Sequence, residues 1–140
     1  YLARRHGRTD LLPVEARAQA DVDRWMDWQA TELNNAWRYA FMALVRRSPS
    51  HADPAQVCAS VASWNRHLTL LERQLQVTRG FVTGPAFTLA DIVLGLSVQR
   101  WRMAPIERPP LPALGEYHSR LLDRPGFLAH GANGERGICT

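Results

Sequence analysis

The amino-acid sequence predicts an all-α domain. Apolar residues recur at steps of three, four and seven over several stretches, which places their side chains on one face of a helix. Prolines and glycines lie between those stretches, where they would separate one helix from the next. No run of alternating apolar and polar residues is long enough to indicate a β-strand. The 140 residues, 46% of them hydrophobic, suffice for one domain with a packed core that needs no disulfide or metal.

The first helix is predicted to be very long. Pro13 stands at its start, Glu15 lies in its first turn, and residues 14–47 contain no further proline or glycine. One apolar stripe runs along it, formed by Met26, Leu33, Trp37, Ala40 and Leu44. Trp25 and Trp28 widen the apolar surface beside that stripe.

The second helix has the most regular apolar spacing in the chain. Pro49 interrupts the long helix, and Asp53 followed by Pro54 supplies an N-cap residue with proline at the first helical position. The apolar residues step by four, three, four, three and four: Val57, Val61, Trp64, Leu68, Leu71 and Leu75. This spacing predicts a helix that ends before Gly80.

A capping box opens the third helix. In Thr88-Leu-Ala-Asp91 the threonine hydroxyl and the aspartate carboxylate can each accept a hydrogen bond from a backbone amide of the first turn. We expect Asp91 to be a structural carboxylate rather than a catalytic acid, and the helix to run to about Met103. The proline-rich residues 105–112 cannot continue a helix, so they predict a stiff loop.

Two short helices and a tail complete the predicted domain. The fourth helix is indicated by Leu114, Tyr117 and Leu121. Pro125 begins a fifth helix, so five helices in all are expected. Glycines then recur through residues 131–140, which predicts a loose tail and limits the helical domain to residues 13–130.

The charge of the chain does not by itself indicate a nucleic-acid-binding protein. Seventeen basic residues against 13 acidic ones give a net charge of +4, and the pI is about 9.8. All the basic residues are arginine, and outside residues 4–8 they are spread among acidic residues, as on a solvated surface. No apolar run approaches the roughly 18 residues that a membrane span needs, so we expect a cytoplasmic protein without a membrane partner.

No motif for catalysis or metal binding occurs in the chain. The sequence lacks HExxH, GxSxG and a phosphate-binding glycine loop, and its five histidines are scattered. Cys58 and Cys139 form no CxxC pair, and the spacing from Cys58 to His67 does not bring the two side chains together on a helix. We therefore predict no catalytic residue and no metal site in this chain.

Two groups of side chains are candidates for ligand binding. A polar stripe interrupts the long helix at steps i, i+3, i+4 and i+7: Thr31, Asn34, Asn35 and Arg38. Surface asparagines are common, so a solvated face is the preferred interpretation of this stripe. Asparagine is nevertheless a poor helix former, and a pair of them in mid-helix makes a binding site the alternative. Trp37 and Phe41, one turn apart, and Trp101 would either line an apolar pocket for a small molecule or pack in the core.

Three segments resemble the C-terminal helical domain of the glutathione S-transferases. Residues 22–29, Val-Asp-Arg-Trp-Met-Asp-Trp-Gln, resemble the first long helix of that domain, most closely in theta-like and related bacterial members. Residues 84–91, Gly-Pro-Ala-Phe-Thr-Leu-Ala-Asp, resemble the family's capping motif, the most specific of the three signals. Residues 117–125, with Leu121 and Arg124-Pro125, resemble the closing helix. The resemblance covers nearly the whole chain.

The resemblance implies a larger protein. Residues 1–12 resemble the end of a thioredoxin-like domain and the linker after it, which would account for Tyr1 as the first residue. Family members use that domain to stabilise the thiolate of glutathione, the nucleophile in conjugation to electrophiles. The parent protein would be a detoxifying transferase of alkyl or aryl groups to glutathione. This chain would supply one wall of its electrophile site and part of a homodimer interface, and would be inactive alone.

The resemblance also implies roles for residues of the long helix. It places Asn34, Asn35, Trp37, Arg38 and Phe41 where the family lines the electrophile site. Thr31 falls where several classes place an acidic residue that reaches glutathione in the partner subunit, but threonine carries no charge. The alternative function is a stand-alone helical module for protein interaction, as in relatives of the family in translation complexes.

Overall fold

A computed structural model describes residues 1–132 of the chain. Seven α-helices follow one another in those residues: α1 (Leu2–Arg5), α2 (Ala16–Trp28), α3 (Asn34–Leu44), α4 (Pro54–Thr78), α5 (Leu89–Met103), α6 (Pro112–Leu122) and α7 (Pro125–His130). A π-helical segment, Gln29–Leu33, joins α2 to α3, and a 3-10 turn, Pro49–His51, precedes α4. Residues 1–132 contain no strand, only an isolated bridge between Phe81 and Gly84, so the predicted all-α class is confirmed.

The predicted helices are all present, and α1 lies in the segment that resembles the end of a preceding domain. The long first helix corresponds to α2 and α3 with the π-helical segment between them, and the other four correspond to α4, α5, α6 and α7. Within residues 1–132 no helix combines the length and the hydropathy that crossing a membrane requires. Most of the predicted loose tail, residues 133–140, lies outside the described residues.

The long helix begins later than predicted because Glu15 is its N-cap rather than a residue of its first turn. The Glu15 carboxylate accepts hydrogen bonds from the backbone amides of Arg17, at 2.9 Å, and Ala18, at 2.7 Å. A carboxylate in this position satisfies two amides that have no partner inside the helix. Pro13 therefore precedes the helix instead of occupying its first position.

The apolar spacing does not predict the π-helical segment. A π-helical turn closes its hydrogen bonds over five residues instead of four, so it takes in an extra residue and rotates the side chains that follow. Leu33, in this segment, is fully buried. The side-chain amide of Gln29 reaches the hydroxyl of Ser97 on α5, at 2.9 Å. The segment thus turns both an apolar and a polar side chain of the long helix towards the interior.

The core lies between the long helix, α4, α5 and α6. Its largest fully buried side chains include Leu33, Trp64, Leu68, Leu71, Leu94, Leu114 and Tyr117. The hydroxyl of Ser60, on α4, donates to the carbonyl of Ala36 at 2.7 Å and accepts from the amide of Ala40 at 3.0 Å. Because Ser60 is small and bonds directly to a turn of α3, helices α3 and α4 lie close together at this point.

The capping box at the start of α5 is present and extends into the core. The fully buried carboxylate of Asp91 accepts from the amide of Thr88 at 2.8 Å and from its hydroxyl at 3.1 Å. It also accepts from the amide of Val82 at 2.9 Å and from the hydroxyl of Tyr117 at 3.1 Å. Burial raises the pKa of Asp91 above its usual value, and these hydrogen bonds oppose the rise. One side chain therefore ties α5 to the preceding turn and to α6.

Helix α6 begins inside the predicted proline-rich loop, at Pro112. A proline is tolerated there because the first helical position has no amide partner to lose. The N-cap residue, Leu111, has no side-chain acceptor, and Glu72 of α4 takes its place. The buried Glu72 carboxylate accepts from the amides of Ala113, at 3.1 Å, and Leu114, at 2.7 Å. A residue of α4 thus caps α6 and links the two helices.

Candidate functional site

The structure divides the predicted polar stripe into an exposed part and a half-buried part. Thr31, Asn35 and Arg38 are exposed. The hydroxyl of Thr31 donates to the carbonyl of Asp27 in its own helix, at 2.8 Å. Asn34 is half-buried, so it is the member of the stripe that the fold places against other elements.

Asn34 belongs to a hydrogen-bond network between the long helix and α5. The hydroxyl of Ser97 donates to the carbonyl of Val93 at 3.0 Å and accepts from the side-chain amide of Gln29 at 2.9 Å. That amide also donates to Oδ1 of Asn34, at 3.0 Å. The same oxygen accepts from the indole N–H of Trp37, at 3.0 Å. Because the polar atom of the indole is bonded, the network fixes the orientation of the Trp37 ring.

The ring of Trp37 is the centre of an aromatic cluster. Phe41 meets it edge to face, with the centroids 5.2 Å apart and the planes at 77°. Trp64 of α4 lies on another side, at 5.9 Å and 36°. Trp64 is fully buried, whereas Trp37 and Phe41 are half-buried and extend the cluster to the surface. We call Asn34, Trp37 and Phe41 the α3 face.

Two arginines border the α3 face. The guanidinium carbon of Arg100, on α5, lies 4.4 Å from the ring centroid of Trp37 and 5.5 Å from that of Phe41. The guanidinium carbon of Arg46 lies 5.6 Å from the Phe41 centroid. Burial lowers the pKa of Arg100 from its usual value, and the positive charge of Arg46 lowers it further. Arginine remains protonated at neutral pH, so this edge of the surface carries two positive charges.

Trp101 lies apart from the α3 face. Its side chain is only 5% exposed, and its indole N–H donates to Oδ1 of Asn65 on α4, at 2.8 Å. The guanidinium carbon of Arg108 lies 5.7 Å from its ring centroid. The ring contacts among residues 1–132 do not join Trp101 to Trp37 or Phe41. Trp101 therefore packs in the core, and the structure does not bring it together with the other aromatic candidates.

A second surface, which we call the α2–α4 groove, lies on the other half of the long helix. It encloses about 460 Å³. The groove is lined by Arg24, Trp25, Trp28, Leu70, Arg73, Gln74 and Val77. Trp25 and Trp28 meet edge to face at 5.2 Å, and Val77 is 80% exposed. The buried indole N–H of Trp25 has no hydrogen-bond partner among residues 1–132. The groove therefore has an apolar floor and two arginines at its rim.

A third surface, which we call the α5–α7 cavity, has a volume of about 550 Å³. Its lining includes Arg8, Leu11, Phe87, Ile92, Leu96, Arg124 and Phe127. Ile92 and Leu96, on α5, are 40% and 41% exposed although most of their helix is buried. The carbonyl of Leu11 accepts from the amide of Leu89 at 3.0 Å, which holds the segment before the long helix against the start of α5.

The side chains around the α3 face are of the types that bind ligands. No group of three or more His, Cys, Asp or Glu side chains within residues 1–132 is placed to hold a metal ion. The carboxylate of Asp91 is engaged by four donors, as the capping role requires. The α3 face supplies two aromatic rings and an amide, and the guanidinium groups of Arg46 and Arg100 lie beside it. Such groups bind and orient a ligand.

Sequence reasoning misses four residues of this surface: Gln29, Ser97, Arg46 and Arg100. The signal that was available is on α5, where Ser97 and Arg100 lie one helical turn apart in a largely apolar helix. That pair faces the long helix. No comparable signal marks Gln29, a polar position of the long helix, or Arg46, which lies in the turn after α3.

Curated proteins similar to this chain are glutathione S-transferases, although no protein-family model matches it. It is 30% identical over 125 residues to glutathione S-transferase GstB of Escherichia coli K12, a match that covers 89% of this chain and 60% of GstB. It is also 30% identical over 99 residues to human glutathione S-transferase theta-1, covering 66% of this chain and 40% of that protein. The chain thus spans less than two thirds of the length of these relatives.

Solved structures give the same result. The theta class glutathione S-transferase of Xanthomonas axonopodis pv. citri, with glutathione bound, matches at a TM-score of 0.84 and 31% identity, over 92% of this chain and 67% of that chain. Its apo form matches at a TM-score of 0.85 and 30% identity, over 94% and 68%. The chain therefore belongs to the glutathione S-transferase family, and its fold is that of the family's C-terminal all-helical domain.

Proposed function

We propose that this chain is the C-terminal domain of a glutathione transferase that conjugates glutathione to electrophilic small molecules, and that the α3 face forms one wall of its electrophile site. The hydrogen bond from Trp37 to Asn34 carries this proposal. It holds a half-exposed indole in one orientation beside Phe41, and ligand sites are typically built from such rings with a few fixed polar groups. Membership in the family supports transfer to glutathione as the reaction.

In this reaction the thiolate of glutathione forms a bond to the electrophilic carbon, and the leaving group departs with the electron pair of the broken bond. The α3 face contributes by holding the electrophile in a productive orientation, which lowers the entropic part of the barrier. The described residues include no group placed to activate the thiol, so we propose that the chain alone has no transferase activity. A thioredoxin-like domain would supply the activating residue and most contacts to glutathione.

We propose that this upstream domain docks on the α5–α7 cavity and that residues 1–12 lead into it. The apolar side chains of Ile92 and Leu96 are open to solvent on an otherwise buried helix, which is typical of a covered interface. Leu11, at the end of the proposed linker, lines the same cavity. The 60% coverage of GstB is consistent with a further domain of ordinary size in the parent protein.

We propose the α2–α4 groove as this chain's part of a homodimer interface. Its apolar floor and exposed Val77 favour contact with another protein surface, and tryptophans and arginines are the residue types that interfaces concentrate. Thr31 lies on the same long helix, but its hydroxyl is bonded within the helix. With its hydrogen used in that bond, Thr31 could contact glutathione in a partner subunit only as an acceptor.

The test is steady-state kinetics of the natural gene product that contains this chain, with glutathione and 1-chloro-2,4-dinitrobenzene. Asn34→Ala should lower kcat/KM for the electrophile about five- to tenfold, because one hydrogen bond contributes about 1 kcal/mol and a tenfold effect corresponds to about 1.4 kcal/mol. The KM for glutathione should stay unchanged. The control is Asp23→Ala, an exposed position on α2 outside the residues assigned to the site.

Equal effects of the two substitutions would rule out the α3 face as the wall. Absence of conjugation with a panel of electrophiles would overturn the transferase proposal itself. A stable complex with another protein in place of turnover would establish the alternative, a helical interaction module.

A further inference from the structure

The arginine pair beside the α3 face lacks a counter-charge. Among residues 1–132 no carboxylate lies within ion-pairing distance of Arg46 or Arg100, and Arg100 donates no hydrogen bond to that part of the chain. Arg108 shows the contrast, because it also rests over an indole ring but donates to the carbonyls of Trp101, at 3.3 Å, and Ala104, at 2.8 Å. A half-buried cation without a carboxylate partner in the fold attracts anions, and an anionic ligand would supply the missing counter-charge.

The geometry leaves the donors of Arg100 available. The attraction between the guanidinium charge and an aromatic ring leaves the five N–H donors of the group able to bond to an acceptor elsewhere. The ring beneath it belongs to Trp37, whose orientation the bond to Asn34 fixes. The position of the cation is therefore set by the same network that sets the aromatic wall.

A second positive charge borders the same aromatic ring, that of Phe41. Arg46 and Arg100 both lie over the ring of Phe41, with guanidinium carbons 5.6 Å and 5.5 Å from its centroid. Their mutual repulsion contributes to the lowered pKa of Arg100. An anion between or beside two such groups would turn that repulsion into two attractions.

We propose that Arg46 and Arg100 form an anion subsite at the edge of the α3 face, and that the preferred electrophiles are aromatic molecules that carry a carboxylate or sulfonate group. This inference rests on the proposed function for the role of the α3 face. The aromatic part of the ligand contacts Trp37 and Phe41, and its anionic group pairs with the arginines. Guanidinium groups suit planar oxyanions because they donate two parallel hydrogen bonds.

The test is isothermal titration calorimetry of the 140-residue chain with 4-nitrobenzoate and 4-nitrobenzamide. The two probes have the same ring and differ in charge, and neither requires glutathione. The benzoate should bind at least about tenfold more tightly, a difference of about 1.4 kcal/mol, because only its carboxylate can form charged hydrogen bonds with the arginines. Its affinity should fall with added sodium chloride, while that of the benzamide should not.

Variants locate the binding site. Arg100→Gln should abolish the preference for the benzoate, and Arg46→Gln should reduce it about threefold, because Arg46 is more exposed and charges in water interact weakly. The control is Arg102→Gln, an exposed arginine on the same helix, which should change nothing. Circular dichroism of each variant checks that it is folded. Equal affinity for the two probes, or equal losses in Arg100→Gln and Arg102→Gln, would overturn the proposal.

Inorganic phosphate distinguishes the kinds of anion. It should bind more weakly than 4-nitrobenzoate, because it cannot use the aromatic rings; binding as tight as that of the benzoate would overturn the aromatic class of ligand. The outcome is independent of turnover. Selective benzoate binding with no conjugation by the natural product would support the anion subsite and refute the proposed function. Conjugation by the natural product without selective benzoate binding would refute the subsite alone.

Discussion

Replacing Asp91 with alanine should destabilise the domain by several kcal/mol, although Asp91 lies outside the proposed electrophile site. Its carboxylate accepts from the amides of Val82 and Thr88 and from the hydroxyls of Thr88 and Tyr117. Val82 is fully buried and Thr88 nearly so, which leaves water little access to either amide after the substitution. The hydroxyls can turn towards other acceptors, and that of Tyr117 already lies 3.3 Å from the carbonyl of Asp91.

The expected size of the effect follows from the two amides. A buried amide left without an acceptor costs about 1–3 kcal/mol, so two of them cost about 2–6 kcal/mol. Domains of this kind have unfolding free energies of about 5–15 kcal/mol in total. The substitution should therefore remove a large part of the stability of the chain.

Urea unfolding followed by circular dichroism measures this loss. The control is Asp23→Ala, at an exposed position of α2, which should change the unfolding free energy by less than about 0.5 kcal/mol. Asp91→Asn keeps the size and one acceptor oxygen and should give an intermediate value. If Asp91→Ala and Asp23→Ala unfold at the same urea concentration, the Asp91 carboxylate does not hold α5, the preceding turn and α6 together.

Three further predictions concern the same fold. Glu72→Ala should lower the unfolding free energy by about 2 kcal/mol, because it leaves two amides of α6 uncapped. The control is the exposed Glu116→Ala, which should be nearly neutral in urea unfolding. Similar urea midpoints for the two variants would contradict the capping role. Gly95→Ala should lower Tm, at a cost of about 1–3 kcal/mol, because the new Cβ would lie 2.8 Å from a side-chain carbon of α6. The control is Gly115→Ala, whose Cβ would meet nothing within 4 Å, so it should be neutral or stabilising. A raised Tm for Gly95→Ala would refute this packing. Burial raises the pKa of Asp91 in the folded state, so the folded state binds the carboxyl proton more tightly than the unfolded state does. The stability that this proton contributes is therefore greatest below pH 3.8, the pKa in the unfolded state, and is lost as pH rises through the higher pKa of the folded state. Urea midpoints of the wild type should therefore fall relative to Asp91→Asn as pH rises above that value, and a relative gain would contradict the direction of the shift.

The helices could be predicted because local signals determine them. Asp53 with Pro54, the capping box of Thr88 and Asp91, and the proline-rich loop before α6 mark most boundaries within a few residues of where the structure has them. These signals act between neighbours in the sequence, so a single sequence contains them. The resemblance to the family depends on the same local segments, which is why it held.

The features that the sequence does not predict depend on contacts between distant residues. Gln29 meets Ser97 and Glu72 meets Leu114 only after the helices have packed, so neither the π-helical segment nor the cap of α6 has a local signature. The sequence predicted two alternatives for Trp101, a place in the core or in the lining of a ligand pocket. Its bond to Asn65, which places it in the core, depends on the packing of α5 against α4.

The site could be predicted in part. Trp37 and Phe41 do lie together at the surface, as their spacing suggests, since residues four apart share a helix face. The polar stripe is less uniform than its spacing indicates, because Asn34 is drawn into the network with Gln29 while Asn35 stays in solvent. Whether these residues bind an electrophile remains a prediction for experiment.

The most direct test of the central proposal is a crystal structure of the natural gene product with S-(4-nitrobenzyl)glutathione, a molecule that joins glutathione to an aromatic group. We predict that the nitrobenzyl ring lies in van der Waals contact with Trp37 and Phe41, within about 4.5 Å between heavy atoms. The ring bound away from the α3 face, for example in the α2–α4 groove, would contradict the assignment of that face to the electrophile site.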